Sequence, residues 1–251
     1  MTDDAIPAAT LVVWRDPASG GPEQSQILVV ERSARMAFAA GAIVFPGGRI
    51  DPADRTLAER AGRPADAARV TAIRETIEES GVVAGLVGPV DRHLGALLQK
   101  ELIEGAAFGD LLDRHQLLLD FDALTPFARW MPAFKQPRKF DTLFFLAQAP
   151  AGEWPPFPQP GECVSAEWAA PVDLLDRIDR GEASAIFPTK RNLERLAVHP
   201  TLHAALADAR AHSLDTIIPW VEEIDGEPHV RIPAGRGYPI IAEPLATAFR
   251  A

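Results

Sequence analysis

Apolar residues along this chain follow two periodicities, and the change from one to the other marks its organisation. Short runs come first: Leu11-Val12-Val13-Trp14 within Ala8 to Arg15, and Ile27-Leu28-Val29-Val30 within Gln26 to Glu31, predict two strands. The Pro-, Gly- and Ser-rich stretch Asp16 to Gln24 between them predicts a hairpin-like connection. A third short strand, Ala42 to Phe45, delivers the chain into Pro46-Gly47-Gly48, read as a turn whose backbone, free of Cβ atoms, can approach a ligand closely. From Asp66 to Ser80 the period becomes helical. Ala68, Ala72, Ile73 and Ile77 form one stripe, and Gly81 stands where a helix commonly ends in a left-handed residue. Glu75, Glu78 and Glu79 sit away from that stripe at i, i+3 and i+4, and are expected to face outward to a cleft. Val82-Val83 is expected to start a strand.

The second half repeats both periods. Leu94, Leu97, Leu98, Leu102, Ile103, Phe108, Leu111 and Leu112 predict two amphipathic helices between Asp91 and Asp120. Phe127 to Pro132 and Phe140 to Gln148 read as strands, the latter buried through Leu143-Phe144-Phe145-Leu146. Proline-rich Ala149 to Pro160 reads as a loop able to carry a mobile residue to a site. Cys163 to Ala169 is a further strand, and Pro171 opens a helix over Val172 to Asp179. Phe187-Pro188-Thr189 precedes a helix over Lys190 to Ala197, Leu202 to Ala211 makes another, and Ile217 to Val221 and His229 to Pro233 read as edge strands punctuated by prolines. Strands interspersed with helices make this an α/β chain, and it contains no internal repeat.

Composition narrows the picture. With 251 residues, 47% of them hydrophobic, the chain can build a sizeable core, and it is read as one domain over 1–251 with helical elaborations at about 91–120 and 171–212. A net charge of −10 argues against a nucleic-acid backbone as partner. The one cysteine, Cys163, excludes an internal disulfide, fits a reducing compartment and reads as a small core residue. Met1-Thr2-Asp3-Asp4 lacks the basic start of a signal peptide, and no window reaches the ~18 consecutive apolar residues of a membrane span, so a cytoplasmic protein is expected. The six histidines lack paired metal spacing and read as surface residues.

The glutamates carry the chemistry. Like charges at this helical spacing cost a few tenths of a kcal/mol per pair unless a cation neutralises them. A hard divalent cation such as Mg²⁺ prefers carboxylate and carbonyl oxygens and shares its sphere with substrate phosphates. The bland alternative, a solvated acidic face, leaves Gly47-Gly48, Arg74 and Gly81 unaccounted for.

Taken together, Phe45 to Val82 resembles the Nudix box, whose pattern is Gly, five residues, Glu, seven residues, Arg-Glu-apolar-x-Glu-Glu-x-Gly-apolar. Arg74 to Val82 match its second half, with Thr76 in an apolar slot, and the first half matches through Gly48. Gly48 to Arg74 spans 26 positions (74 − 48) where the pattern has 14, so 12 residues are extra, and the charged stretch Pro52 to Arg63 is expected to loop out over the site. Counting back eight from Arg74 puts Asp66 in place of the family's first Glu, where it is also a candidate helix N-cap. Arg32-Ser33, Trp130-Met131-Pro132, Pro137 to Phe145 and Phe187-Pro188-Thr189 resemble a subgroup of larger Nudix proteins that includes animal acyl-coenzyme A diphosphatases, although the coenzyme A motif is only partly present.

The resemblance implies an α/β/α sandwich around a mixed sheet and metal-dependent cleavage of a P–O–P linkage in a small nucleoside diphosphate derivative. It assigns Mg²⁺ (or Mn²⁺) to Glu75, Glu78, Glu79 and a carbonyl of Gly47 or Gly48, with Arg74 orienting a glutamate of its own helix. The general base is one of Glu75, Glu153, Glu162 and Glu167, with Glu162 favoured because it precedes a strand. Arg32, Arg35, Phe45, Gly47, Arg138 and Lys139 are the expected substrate contacts, the last two belonging to the most basic run, Lys135 to Lys139, which is otherwise a solvated turn. No nucleic acid or membrane partner is expected, and a homodimer is compatible. Coenzyme A or acyl-coenzyme A, another substrate such as a nucleotide sugar, ADP-ribose or a dinucleotide, and a non-catalytic nucleotide-sensing role all stay open, the intact glutamate set disfavouring the last.

Overall fold

The computed structural model describes residues 5–17, 24–36, 39–132 and 139–248. In chain order the elements are β1 (Ala5–Arg15), β2 (Gln26–Arg32), β3 (Ile43–Val44), β4 (Gly47–Arg49), α1 (Pro52–Arg60) and α2 (Ala67–Ser80). Then come β5 (Leu86–Val87), α3 (Arg92–Ile103), α4 (Phe108–Arg114), β6 (Leu118–Leu119), β7 (Thr125–Trp130), β8 (Lys139–Gln148) and β9 (Cys163–Ala169). The chain continues through α5 (Pro171–Asp179), α6 (Phe187–Ala197), α7 (Leu202–Ala211), β10 (Trp220–Ile224), β11 (Glu227–Arg231), β12 (Ala242–Pro244) and α8 (Leu245–Ala248).

β1 is the spine of the main sheet. It runs parallel to β8 from Ala5↔Lys139 to Trp14↔Gln148, and its other edge is shared antiparallel by β4 at Ala9↔Gly48 and β2 at Trp14↔Ile27. β2 also pairs with β3 and β9, and β8 with β7, all antiparallel, so the sheet is mixed. Alternation along β1 separates two cores. Ala9, Leu11 and Val13 pack with Ile73 and Ile77 of α2 and Leu98 of α3, whereas Val12 and Trp14 pack with Phe127 and with Leu193 and Leu196 of α6. Helices therefore cover both faces, as the box resemblance implies. Among the described residues no helix is long and apolar enough to cross a membrane.

The structure corrects several expectations. Pro52 to Arg63 is not a loop over the site: its first nine residues form α1, with Pro52 at the favoured first position and Leu57 and Ala58 buried. An Ala- and Arg-rich segment has the propensity for this, and the buried face supplies the rest. Gly47-Gly48 lies in a strand rather than a turn. Val82 and Val83 are buried without pairing, and the next strand begins at Leu86. α6 starts at Phe187, ahead of Lys190, because Pro188 fits the first helical turn. The tail strands are displaced, since Asp225 and Gly226, with φ of 52° and 83°, form the turn between β10 and β11.

Candidate active site

Two glycines bring the acidic helix onto the sheet. A Cβ on Gly47 would lie 2.5 Å from the Ala9 carbonyl oxygen, and one on Gly48 would lie 2.4 Å from Glu75 Oε1. Bare backbone lets β4 lie close against β1 at Gly47 and against the Glu75 carboxyl of α2 at Gly48. At this contact the Gly47 N–H donates to Glu79 Oε2 at 3.1 Å. The glutamates consequently do not all face outward: Glu79 is 2% exposed, while Glu75 and Glu78 are half-buried beside it.

Arg74 is held from α1. Its Nε and Nη2 donate to Asp54 Oδ1 and Oδ2, each at 2.9 Å, while Nη1 faces Glu75 at 2.9 Å and Glu78 at 3.3 Å. Asp54 is 2% exposed and also accepts from Thr71 Oγ1 and from the Asp51 N–H. Asp66 instead pairs with Arg63 and Arg69 and makes no side-chain cap for α2. The counting back from Arg74 therefore chose the wrong aspartate. Asp54 is separated from Gly48 by five residues, as in the family pattern, so the additional residues lie after the acid and not before it.

These carboxyl groups are electrostatically incomplete. Burial, reinforced by the Glu78 charge and opposed by Arg74, pushes Glu75 up to about 7. Burial and the neighbouring Glu75 charge push Glu79 up to about 8 against the opposing Arg32 and Gly47 N–H. Glu78 moves in the same direction, again chiefly through burial. As they stand, no group of three or more His, Cys, Asp or Glu side chains among the described residues converges on a cation position. Their carboxylates are turned towards Arg74, Arg32 and Gly47. The donor set nevertheless fits a hard divalent cation: three acidic side chains beside the Cβ-free pair Gly47-Gly48, with the Glu75 and Glu79 carboxyls held above their ordinary range chiefly by burial.

The loop before β9 closes the acidic end of the site. Glu162 is exposed there, and its charge adds to the upward shift of both Glu78 and Glu79, behind the larger effect of burial. Of the other candidate bases, Glu167 is engaged by Arg177 at 2.7 Å and Glu153 is exposed earlier in the loop. Cys163 is buried, and burial followed by the Glu79 charge pushes its thiol up to about 12, in keeping with a core role.

A cavity of about 420 Å³ opens beside β4. Gly47, Gly48, Arg32 and Arg49 lie at its polar edge, and Phe45, Trp130, Phe140, Phe144 and Phe187 line its body. Phe45 and Phe144 meet edge to face at 6.4 Å. Arg32 also reaches Glu79 at 3.7 Å, so it joins the cavity to the carboxylates. Of the other expected contacts, Arg35 sits exposed in the turn after β2 and Lys139 opens β8, neither lining the cavity. Arg138, with the rest of the basic run before Lys139, lies outside the described residues. Phe144 reads as a buried strand residue in sequence, and Trp130 and Phe187 only as parts of the subgroup resemblance; their convergence from β7, β8 and α6 makes them a wall.

A solved NUDIX hydrolase from Alicyclobacillus acidocaldarius is 33% identical to the chain, covers 82% of it and 97% of that protein, and superposes with a TM-score of 0.68. The chain belongs to the Nudix hydrolases. Within the family, this Nudix hydrolase is 25% identical to the acyl-coenzyme A diphosphatase NUDT19 of Gallus gallus, over 75% of its own length and 65% of that protein's. No family model matches the chain. In this Nudix hydrolase the box is divided by α1, and α1 supplies the acid that holds its arginine.

Proposed function

We propose that the chain is a Mg²⁺- or Mn²⁺-dependent pyrophosphohydrolase that cleaves the P–O–P linkage of coenzyme A or an acyl-coenzyme A. The observation that carries this reading is the junction at Gly48, where a cluster of buried carboxylates meets a largely apolar, aromatic cavity. Glu75 and Glu79, with Glu78 and the Gly48 carbonyl, are the groups that would hold the cation. When bound, the cation supplies positive charge for the phosphoryl oxygens and acidifies water. Arg32, which lines the cavity and approaches Glu79, would meet the diphosphate. Glu162 accepts the proton of the attacking water as the new oxygen–phosphorus bond forms, the bridging P–O bond breaks and the leaving phosphate departs as its anion. Asp54 and Arg74 keep the helical carboxylates in place.

An apolar cavity favours an acyl-coenzyme A, whose hydrocarbon acyl chain can be buried without stranding polar groups, over a nucleotide sugar or ADP-ribose, whose sugar hydroxyls would be left unpaired there. The likeness to an acyl-coenzyme A diphosphatase supports the same choice. The free, buried Cys163 suits a reducing cytoplasm. The test is phosphate release, coupled to a phosphatase, over a panel of coenzyme A, acyl-coenzyme A, ADP-ribose, a nucleotide sugar and a dinucleotide, with Mg²⁺ or Mn²⁺. Fastest turnover is expected on the coenzyme A members, giving adenosine 3′,5′-bisphosphate. A sugar or dinucleotide preference overturns the substrate, and no turnover with any member favours the sensing role.

A further inference from the structure

The helix α3 lies outside the box, yet one of its side chains reaches the box helix and the loop that carries Glu162. Gln99 is 7% exposed, and its Nε2 donates to the Glu78 carbonyl at 3.2 Å and to the Phe157 carbonyl at 2.7 Å. The last carbonyls of a helix have no partner within it. Here the loop provides them, as the Phe157 N–H donates to Ser80 at 2.8 Å and the Gln159 N–H to Glu79 at 3.2 Å. The side chain of Gln159 adds a contact to Glu78 Oε1 at 3.4 Å, and the Glu162 carbonyl accepts from the Ser33 N–H at 2.7 Å. The loop is thus anchored at both ends, with the Gln99 amide crosslinking it to the end of α2.

Gly95, one turn before Gln99 on the same face of α3, makes the approach possible. A Cβ there would lie 2.4 Å from the Gly81 carbonyl oxygen and 2.8 Å from the Trp154 ring. Any side chain at this position lifts α3 away from α2 and from the start of the loop. We propose that Gln99 is a positioning residue, seated by Gly95, that fixes the loop of Glu162 against the C-terminal end of the glutamate helix. This rests on the reading above in one respect, that Glu162 takes the proton.

Gln99→Met keeps length and apolar bulk but removes both donors, and Gly95→Ala displaces α3 without touching the amide. Hydrogen exchange of the full chain reads the anchoring directly. In Gln99→Met the Phe157 and Gln159 amides are expected to exchange about tenfold faster, the size of a lost hydrogen bond, while amides in the middle of α2 are unchanged. Gly95→Ala is expected to speed the same two amides. On the fastest panel substrate, kcat of Gln99→Met falls about tenfold with KM unchanged, and Gln99→Met added to Glu162→Gln produces no further loss. Unchanged exchange at Phe157 and Gln159 overturns the proposal, as do losses that multiply in the double variant. If the wild type hydrolyses no panel member, the proposed function fails while the exchange result still decides whether Gln99 anchors the loop.

Discussion

Asp54 grips Arg74 with both carboxylate oxygens, each at 2.9 Å, from a helix set into the middle of the motif. Asp54 is 2% exposed, so the pair is shielded from water, and removing one partner leaves the other charge buried. Asp54→Asn is expected to lower stability by about 3–5 kcal/mol, the range for breaking a buried ion pair. It should also lower kcat, because Arg74 loses the anchor that fixes its distance to Glu75 and Glu78. Asp66→Asn, whose partner Arg63 is solvent-accessible, should leave kcat unchanged. Urea unfolding and steady-state kinetics of the two variants decide between the aspartates, and equal effects on kcat would exclude the assignment to Asp54.

That pair also marks how far the sequence alone could reach. The longer strands β1, β2, β8 and β9, the α2 stripe and the left-handed Gly81 were legible because each depends on local periodicity or on one residue's backbone freedom. The acid partner of Arg74 was not, since Asp54 and Asp66 satisfy the same pattern counted from opposite ends. Only the packing of Leu57 and Ala58 against the α2 side of the sheet selects Asp54. The cavity was hidden for a similar reason: Trp130, Phe144 and Phe187 lie far apart in sequence, and only the packing of β7, β8 and α6 brings them to one cavity wall.

The two glycines of β4 should fail differently. On Gly47 a methyl group meets the backbone oxygen of Ala9 at 2.5 Å, so relief requires β4 to separate from β1. Gly47→Ala is expected to lower Tm clearly. On Gly48 the obstacle is the carboxyl end of Glu75, which can rotate away. Gly48→Ala is therefore expected to keep Tm nearly at the wild-type value while losing most activity. A Gly48→Ala enzyme with normal kcat would mean that the placement of Glu75 against β4 is immaterial to turnover.

Cys163 should be silent in the native protein. Burial, with the Glu79 charge, pushes its thiol up to about 12, leaving roughly one molecule in ten thousand as thiolate at pH 8. A chromogenic disulfide reagent is expected to label nothing on the timescale of minutes without denaturant, and one thiol per chain in urea. Rapid labelling of the folded protein would contradict the buried placement.

Glu79 provides the pH dependence. Its folded carboxyl at about 8 lies above the model-peptide value of about 4.3, so between those values the folded chain holds a proton that the unfolded chain has released. In chelator, stability is greatest at the acidic side of this window and falls as pH rises through it, with Glu75, at about 7, acting in the same direction. Glu79→Gln removes the main titrating group while keeping the shape, and so should flatten the dependence and raise Tm at pH 8. Cation binding requires the deprotonated carboxylates, so the Tm gain on adding Mg²⁺ to the wild type should grow from pH 6 to pH 8 and shrink in the variant. The same variant should lose about a hundredfold or more in kcat, as expected when a charged group at the reacting centre is removed. Thermal melts at several pH values, with chelator and with Mg²⁺, make the comparison. A Glu79→Gln protein that melts with the wild-type slope and turns over at the wild-type rate would remove Glu79 from the site and, with it, the reason for the close approach of Gly47 to the helix.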